Sequence, residues 1–187
     1  MVHGEQCGKK ELVFIHKRSM DLFSKTAHIQ LIEEIAAGMQ AAGMNHRYLE
    51  LGVLKASCLN RITPYFDECT GVDINDFAKW VISRNVINFI GTTDNFFLKN
   101  TKKYNFIFID ACHKYENVLR DFRNAWMFLE KNGLIIMHDT YSPSPEYDEH
   151  CMDAYKINQW LYENNIPDRQ FITLPFFYGL TIVRRVN

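Results

Sequence analysis

The sequence predicts an α/β fold built on a doubly wound, mostly parallel sheet, and three observations predict it. From Arg47 onward, apolar runs of strand length alternate with stretches at helical spacing. One run, residues 106–109, reads Phe-Ile-Phe-Ile, which suits a central strand buried on both faces. Two late runs are separated only by Pro175, Phe176 and Phe177. A parallel crossover needs a dozen residues or more, so the sheet is expected to end in an antiparallel hairpin.

Residues 1–18 begin polar, carry one apolar patch at 12–15, and read as a lead or arm. Ser19 or Asp21 is placed to cap a helix over 22–39, where Leu22, Leu31, Ile32, Ile35 and Met39 fall near helical spacing before Gly43 breaks the pattern. Residues 1–45 are therefore expected to form an arm and helix of the same domain as a core over 46–187. In that core, 47–51 is the first strand and 56–66 the helix after it. A second strand over 69–74 and a helix over 76–83 follow. A third strand over 86–90 leads to a short helix over 94–98. After the apolar strand comes a helix over 115–129, with Val118, Leu119, Phe122 and Trp126 on one face, closed by Asn132-Gly133. A fifth strand over 134–137 precedes a Ser-Pro-Ser-Pro loop at 142–145. A helix over 151–162 and strands over 170–174 and 178–184 complete the chain.

The 187 residues suit one domain, and 47% hydrophobic with 23% charged residues is ordinary for a soluble globular protein. A net charge of −1 offers no basic excess for a nucleic-acid footprint. Cys7, Cys58, Cys69, Cys112 and Cys151 are odd in number and form no CxxC pair, which argues against a disulfide framework and for a reducing compartment. No apolar run approaches the ~20 residues of a membrane span. The cytoplasm is the expected location, and a homodimer is left open.

Open α/β sheets bind ligands outside the carboxyl ends of their strands, so the strand ends carry the chemistry. The first strand ends in Glu50-Leu51-Gly52, with Ser57 entering the next helix. Gly52 would let backbone approach a ligand closely. An acid before a single glycine repels pyrophosphate but suits a cationic amino-acid ligand. Asp73 ends the second strand, 21 positions after Gly52, where an acid is placed to bond ribose hydroxyls. After the third strand, Thr92 either reaches an adenine edge or caps the next helix. The fourth strand ends in Asp110, with His113 three residues on as a base near neutral pH. The fifth ends in His138-Asp139. With Asp110 these form an oxygen-rich set suited to magnesium or manganese, the imidazole tilting it toward manganese or a heavier metal.

These pieces together resemble class I S-adenosylmethionine-dependent methyltransferases, and more narrowly the macrocin O-methyltransferase and cephalosporin-hydroxylase-like group. The residues that carry the likeness are Leu49-Glu50-Leu51-Gly52, Val72-Asp73, Asp110 with His113 and Tyr115, and Gly133-Leu134 with His138-Asp139. The resemblance implies a Rossmann-like sheet of seven strands with the last antiparallel. It implies S-adenosylmethionine as cofactor, held by Glu50, Gly52 and Asp73, to which the strand-end reading adds Ser57, Thr92 and Asp110. It implies a metal on Asp110, His138 and Asp139, and His113 with Asp110 as the catalytic pair. Two positions depart from the pattern: Ala56 stands at the second glycine of the turn, and His138 at an acid of the metal pair. The expected reaction is O-methylation of a hydroxyl on a small molecule or sugar. The rivals are a cofactor-binding module without catalysis and metal-assisted hydrolysis. A nicotinamide oxidoreductase lacks its GxGxxG here.

Overall fold

The computed structural model describes residues 27–141, 151–175 and 178–186. The elements are α1 (Ala27–Ala41), β1 (Arg47–Leu51), α2 (Ser57–Ile62), β2 (Glu68–Asp73), β3 (Val86–Ile90), α3 (Thr93–Lys99), β4 (Tyr104–Ile109), α4 (Tyr115–Met127), β5 (Leu129–His138), α5 (Lys156–Glu163), β6 (Arg169–Leu174) and β7 (Leu180–Arg185). The seven strands form one sheet in the order β3-β2-β1-β4-β5-β7-β6. β1 to β5 pair in parallel, and β7 runs antiparallel to both β5 and β6, as the short late turn requires.

Side chains on successive strand residues point to opposite faces, and the core divides accordingly. Leu49, Leu51, Ile107 and Ile109 pack under α3, α4 and α5 with Phe96, Phe122 and Ile157. Tyr48, Phe106 and Phe108 pack under α1 and α2 with Ile32, Met39 and Leu59. This alternation explains the unbroken apolar run of β4: each face has its own helical layer to fill. Among the described residues, no helix is long and apolar enough to cross a membrane.

Three expectations are corrected. The helix expected over 76–83 is only a 3-10 turn at Ala78–Trp80. The Asn60 side chain holds the Trp80 carbonyl at 2.8 Å and the Ile82 amide at 3.1 Å, which pins that chain onto α2 in place of a helix. The helix expected over 56–66 breaks at Ile62 into a 3-10 turn, Thr63–Tyr65, which carries Pro64 near its start. Asn132-Gly133 does not end α4. That helix stops at Met127, and Asn132, at φ 62, sits inside β5, where the register with β4 shifts. There β5 advances five residues, Leu129 to Leu134, against two of β4, so the ladder is irregular at the pair. In addition, the helix expected over 151–162 is regular only from Lys156. The 1–26 arm and the 142–145 loop lie outside the described residues.

On α4, Asp121 is 2% exposed and accepts a hydrogen bond from the Thr93 hydroxyl at 2.6 Å. Burial pushes its carboxyl up to about 6, against help from Thr93 and Arg120. A carboxyl raised in the folded state stabilises most when protonated, below its unfolded value near ~4, and loses that contribution as pH climbs through about 6. At ~1.4 kcal/mol per tenfold change in the proton equilibrium, the charged form costs the fold on the order of 2–3 kcal/mol. Asp121→Asn should therefore melt several degrees above the parent at pH 8, with the gap closing near pH 4. A gap that is the same at both pH values would refute the assignment.

Candidate active site

The strand order turns between β1 and β4, and a cleft of about 740 Å³ opens at their carboxyl ends. Its wall begins with the turn from β1 into α2. Gly52, Leu54 and Ala56 all take positive φ, at 88°, 52° and 57°. A side chain on Gly52 would place Cβ 2.3 Å from the Asp110 carbonyl oxygen and 2.6 Å from the Ala111 Cα. What the glycine admits most closely is thus the end of β4, where the sequence reading had a ligand approaching. Ala56, at the place of the second glycine, is fully buried at its left-handed φ, a conformation that costs a non-glycine residue roughly 1–2 kcal/mol.

Asp73 fastens this turn. Its Oδ2 accepts from the Val53 amide at 3.0 Å and the Leu54 amide at 2.9 Å. Its Oδ1 accepts from the Asn75 amide at 2.8 Å and, more weakly, from the Asn75 side chain at 3.3 Å. The acid expected to meet a ribose also satisfies two backbone amides that the tight turn would otherwise strand.

Glu50 lies beneath the turn, 1% exposed, with Oε2 accepting from the Tyr48 hydroxyl at 2.6 Å. Burial pushes its carboxyl up to about 8, while the hydrogen bonds from Tyr48 and Cys58 pull the other way.

Across the cleft, the ends of β4 and β5 bring together Asp110, His113, His138 and Asp139. The His113 Nε2 is 3.1 Å from Asp139 Oδ2 and 3.7 Å from Asp110 Oδ1. The His138 Nδ1 is 3.2 Å from Asp110 Oδ1 and 3.5 Å from Asp139 Oδ2. Asp139 is buried at φ 57 and also accepts from the Cys151 thiol at 3.4 Å. Burial disfavours charge on His138, but its bonds to Asp110 and Asp139 outweigh burial and push it up to about 10. For Asp110, burial is likewise outweighed, by hydrogen bonds from His113 and His138, and its carboxyl is held at about 2. His138 thus lies between two carboxyl groups that favour its charged form. Asp110, His113 and Asp139 each offer a ligand atom, all within 4.8 Å of one another. This group holds His113 where the sequence reading placed His138.

The cleft is lined by Glu50, Gly52, Ser57, Asp73, Asp110 and His113, and by His138 and Asp139. Thr92 is not among its lining residues. It caps α3, its hydroxyl accepting from the Asn95 amide at 3.2 Å. Among the lining residues not singled out from the sequence is His28 on α1, whose ring stacks on His138 with centroids 4.3 Å apart. Burial, then repulsion by His138, pushes His28 down to about 4. Its sequence signal was a polar residue on an otherwise apolar helix face.

A family described as a methyltransferase domain matches residues 49–140, the span from β1 to the end of β5 that supplies most of this cleft. With the sheet order and its antiparallel β7, this match supports a class I S-adenosylmethionine-dependent methyltransferase. Solved structures share the fold. A protein provisionally assigned as a caffeoyl-CoA O-methyltransferase from Staphylococcus aureus aligns with TM-score 0.67 and 18% identity, over 96% of this chain and 100% of its own. An O-methyltransferase from Bacillus cereus, in complex with S-adenosylhomocysteine, aligns at 0.64 and 12%, over 90% and 89%. The S-adenosylhomocysteine-bound methyltransferase PaMTH1 of Podospora anserina aligns at 0.64 and 14%, over the whole of both chains. At these identities the likeness is one of fold. No curated protein matches by sequence.

Proposed function

We propose that the protein methylates a hydroxyl oxygen of a small molecule or sugar, with His113 as the general base. The observation that carries this reading is the contact of His113 Nε2 with the buried carboxylate of Asp139, at 3.1 Å, at the lip of the cleft below the glycine turn. The bound cofactor supplies a methyl group made electrophilic by its sulfonium charge. Glu50 pairs with the cofactor's ammonium group. Asp73 would accept from a ribose hydroxyl. Ser57, at the start of α2, and Asp110 complete the cradle. His113 removes the acceptor's proton, and Asp139 orients the ring and stabilises the imidazolium it becomes. Holding the acceptor oxygen in line with the methyl carbon supplies much of the acceleration by proximity.

A divalent cation is the second reading, favoured by the gathering of Asp110, His113 and Asp139. Magnesium or manganese held there would stabilise charge on the acceptor oxygen. Held by these three residues, it would also occupy His113 and take the base role from it.

The test is direct. S-Adenosylhomocysteine should raise the melting temperature and NAD should not, because a ligand that binds only the folded state stabilises it. Methyl transfer to a panel of phenols and sugars, read as S-adenosylhomocysteine released, should persist in EDTA. Activity that vanishes in EDTA and returns with manganese replaces the base with the metal. Asp73→Ala should weaken S-adenosylhomocysteine roughly 10–100-fold, since a hydrogen bond to a charged group is worth ~1.5–3 kcal/mol. An unchanged Kd in calorimetry removes Asp73 from the cofactor site.

A further inference from the structure

The carboxyl of Glu50 is an acid buried without a cation. The residue is 1% exposed, and its partners are the Tyr48 hydroxyl, the Cys58 thiol and the Leu59 amide. The titratable groups around it are Tyr48 on its own strand, Cys58 on α2, Cys69 on β2 and Asp110 at the end of β4. None of these is a base that could carry positive charge. Among the described residues, no lysine, arginine or histidine makes an ion pair with it. Yet Glu50 lines the cleft, within reach of whatever fills it. A buried carboxylate with no counter-charge is costly, and the group escapes that cost by holding a proton.

We propose that Glu50 is a carboxylic acid until the cofactor arrives and a carboxylate once the cofactor's ammonium group is beside it, so that cofactor uptake at neutral pH expels one proton to solvent. This rests on the cofactor reading above. The exchange balances: the Glu50 O–H bond breaks, its proton passes to buffer, and the ammonium ion supplies the charge the cavity lacked. Tyr48 is the positioning residue. Its hydroxyl donates to Oε2 at 2.6 Å and steadies the charged form, whichever cation completes the pair. Burial, against the hydrogen bonds from Tyr48 and Cys58, raises the carboxyl to about 8, and this places the exchange inside the neutral range.

Calorimetry of S-adenosylhomocysteine binding to the full chain tests it. At pH 7, titrations in phosphate and in Tris should differ in heat by close to one proton released per molecule bound. The Kd should tighten roughly tenfold from pH 6 to pH 7, because only the ionised fraction is competent to bind. In Glu50→Gln both the buffer dependence and the pH dependence should disappear. Tyr48→Phe removes the donor that favours ionisation, and its affinity should keep rising to higher pH than in the parent. Binding with no buffer-dependent heat overturns the proposal and leaves the cofactor reading standing. Undiminished release in Glu50→Gln assigns the proton elsewhere and overturns it too. Should Glu50→Gln fail to fold, an unshifted profile in Tyr48→Phe is decisive against it. No uptake of S-adenosylhomocysteine at any pH removes both readings.

Discussion

Gly52→Ala should abolish S-adenosylhomocysteine binding and lower stability by roughly 2–4 kcal/mol, the scale of a severe steric substitution. Two penalties act at once. The residue sits at φ 88, where a side chain strains the backbone, and its Cβ would meet the Asp110 carbonyl oxygen at 2.3 Å and carbonyl carbon at 2.5 Å. The atoms in the way are backbone, so no side-chain rotation relieves the clash. Either the turn lifts off the sheet or the end of β4 moves away from β1. The first misplaces Val53 and Leu54, whose amides bond Asp73. The second shifts Asp110 against His113 and His138. For a chain of this size the loss corresponds to a fall in Tm of roughly 5–15 °C. Thermal melts with and without S-adenosylhomocysteine measure both effects. A variant that melts within a degree or two of the parent and is still stabilised by the nucleoside refutes the account of this turn.

His113→Ala should lower turnover by ~10²–10⁴ at saturating cofactor, the usual range for a lost general base. The ring contributes through its contact with Asp139 Oδ2 at 3.1 Å, which would steady the imidazolium as the acceptor proton arrives. His113 is on the loop between β4 and α4 and is only partly buried, so its removal should leave the fold intact. S-Adenosylhomocysteine should still raise the variant's Tm, which separates a chemical defect from a binding one. The measurement is kcat for the best acceptor found in the panel. A rate within a few-fold of the parent takes the base role from His113.

The strand ends were legible because they follow from pattern. An apolar run of strand length must stop where the chain meets water, and an acid or histidine at that stop marks the carboxyl edge. Glu50, Asp73, Asp110 and His138-Asp139 were found in this way, and each except Thr92 among the site candidates lines the cleft. Thr92 had two readings open, and the Asn95 amide takes its hydroxyl as a cap. The errors have local causes. Residues 76–83 have helical spacing, but Asn60, from another element, holds the Trp80 carbonyl and the Ile82 amide. Asn132-Gly133 reads as a helix stop because an asparagine at positive φ serves an irregular strand ladder and a helix end equally well.

By itself the sequence determined the order of the strands, the antiparallel close, and which acids end which strands, because periodicity and turn length are properties of neighbouring residues. Partnership was decided only in three dimensions. Asp139 pairs not only with its neighbour His138, at 3.5 Å, but with His113 at 3.1 Å, 26 residues away along the chain. His28 enters from a helix outside the sheet to stack on His138. Gly52 turns out to make room for β4. Distances between side chains on different strands depend on register and packing, and no spacing along one chain encodes them. The protonation states that the chemistry needs depend in turn on those distances.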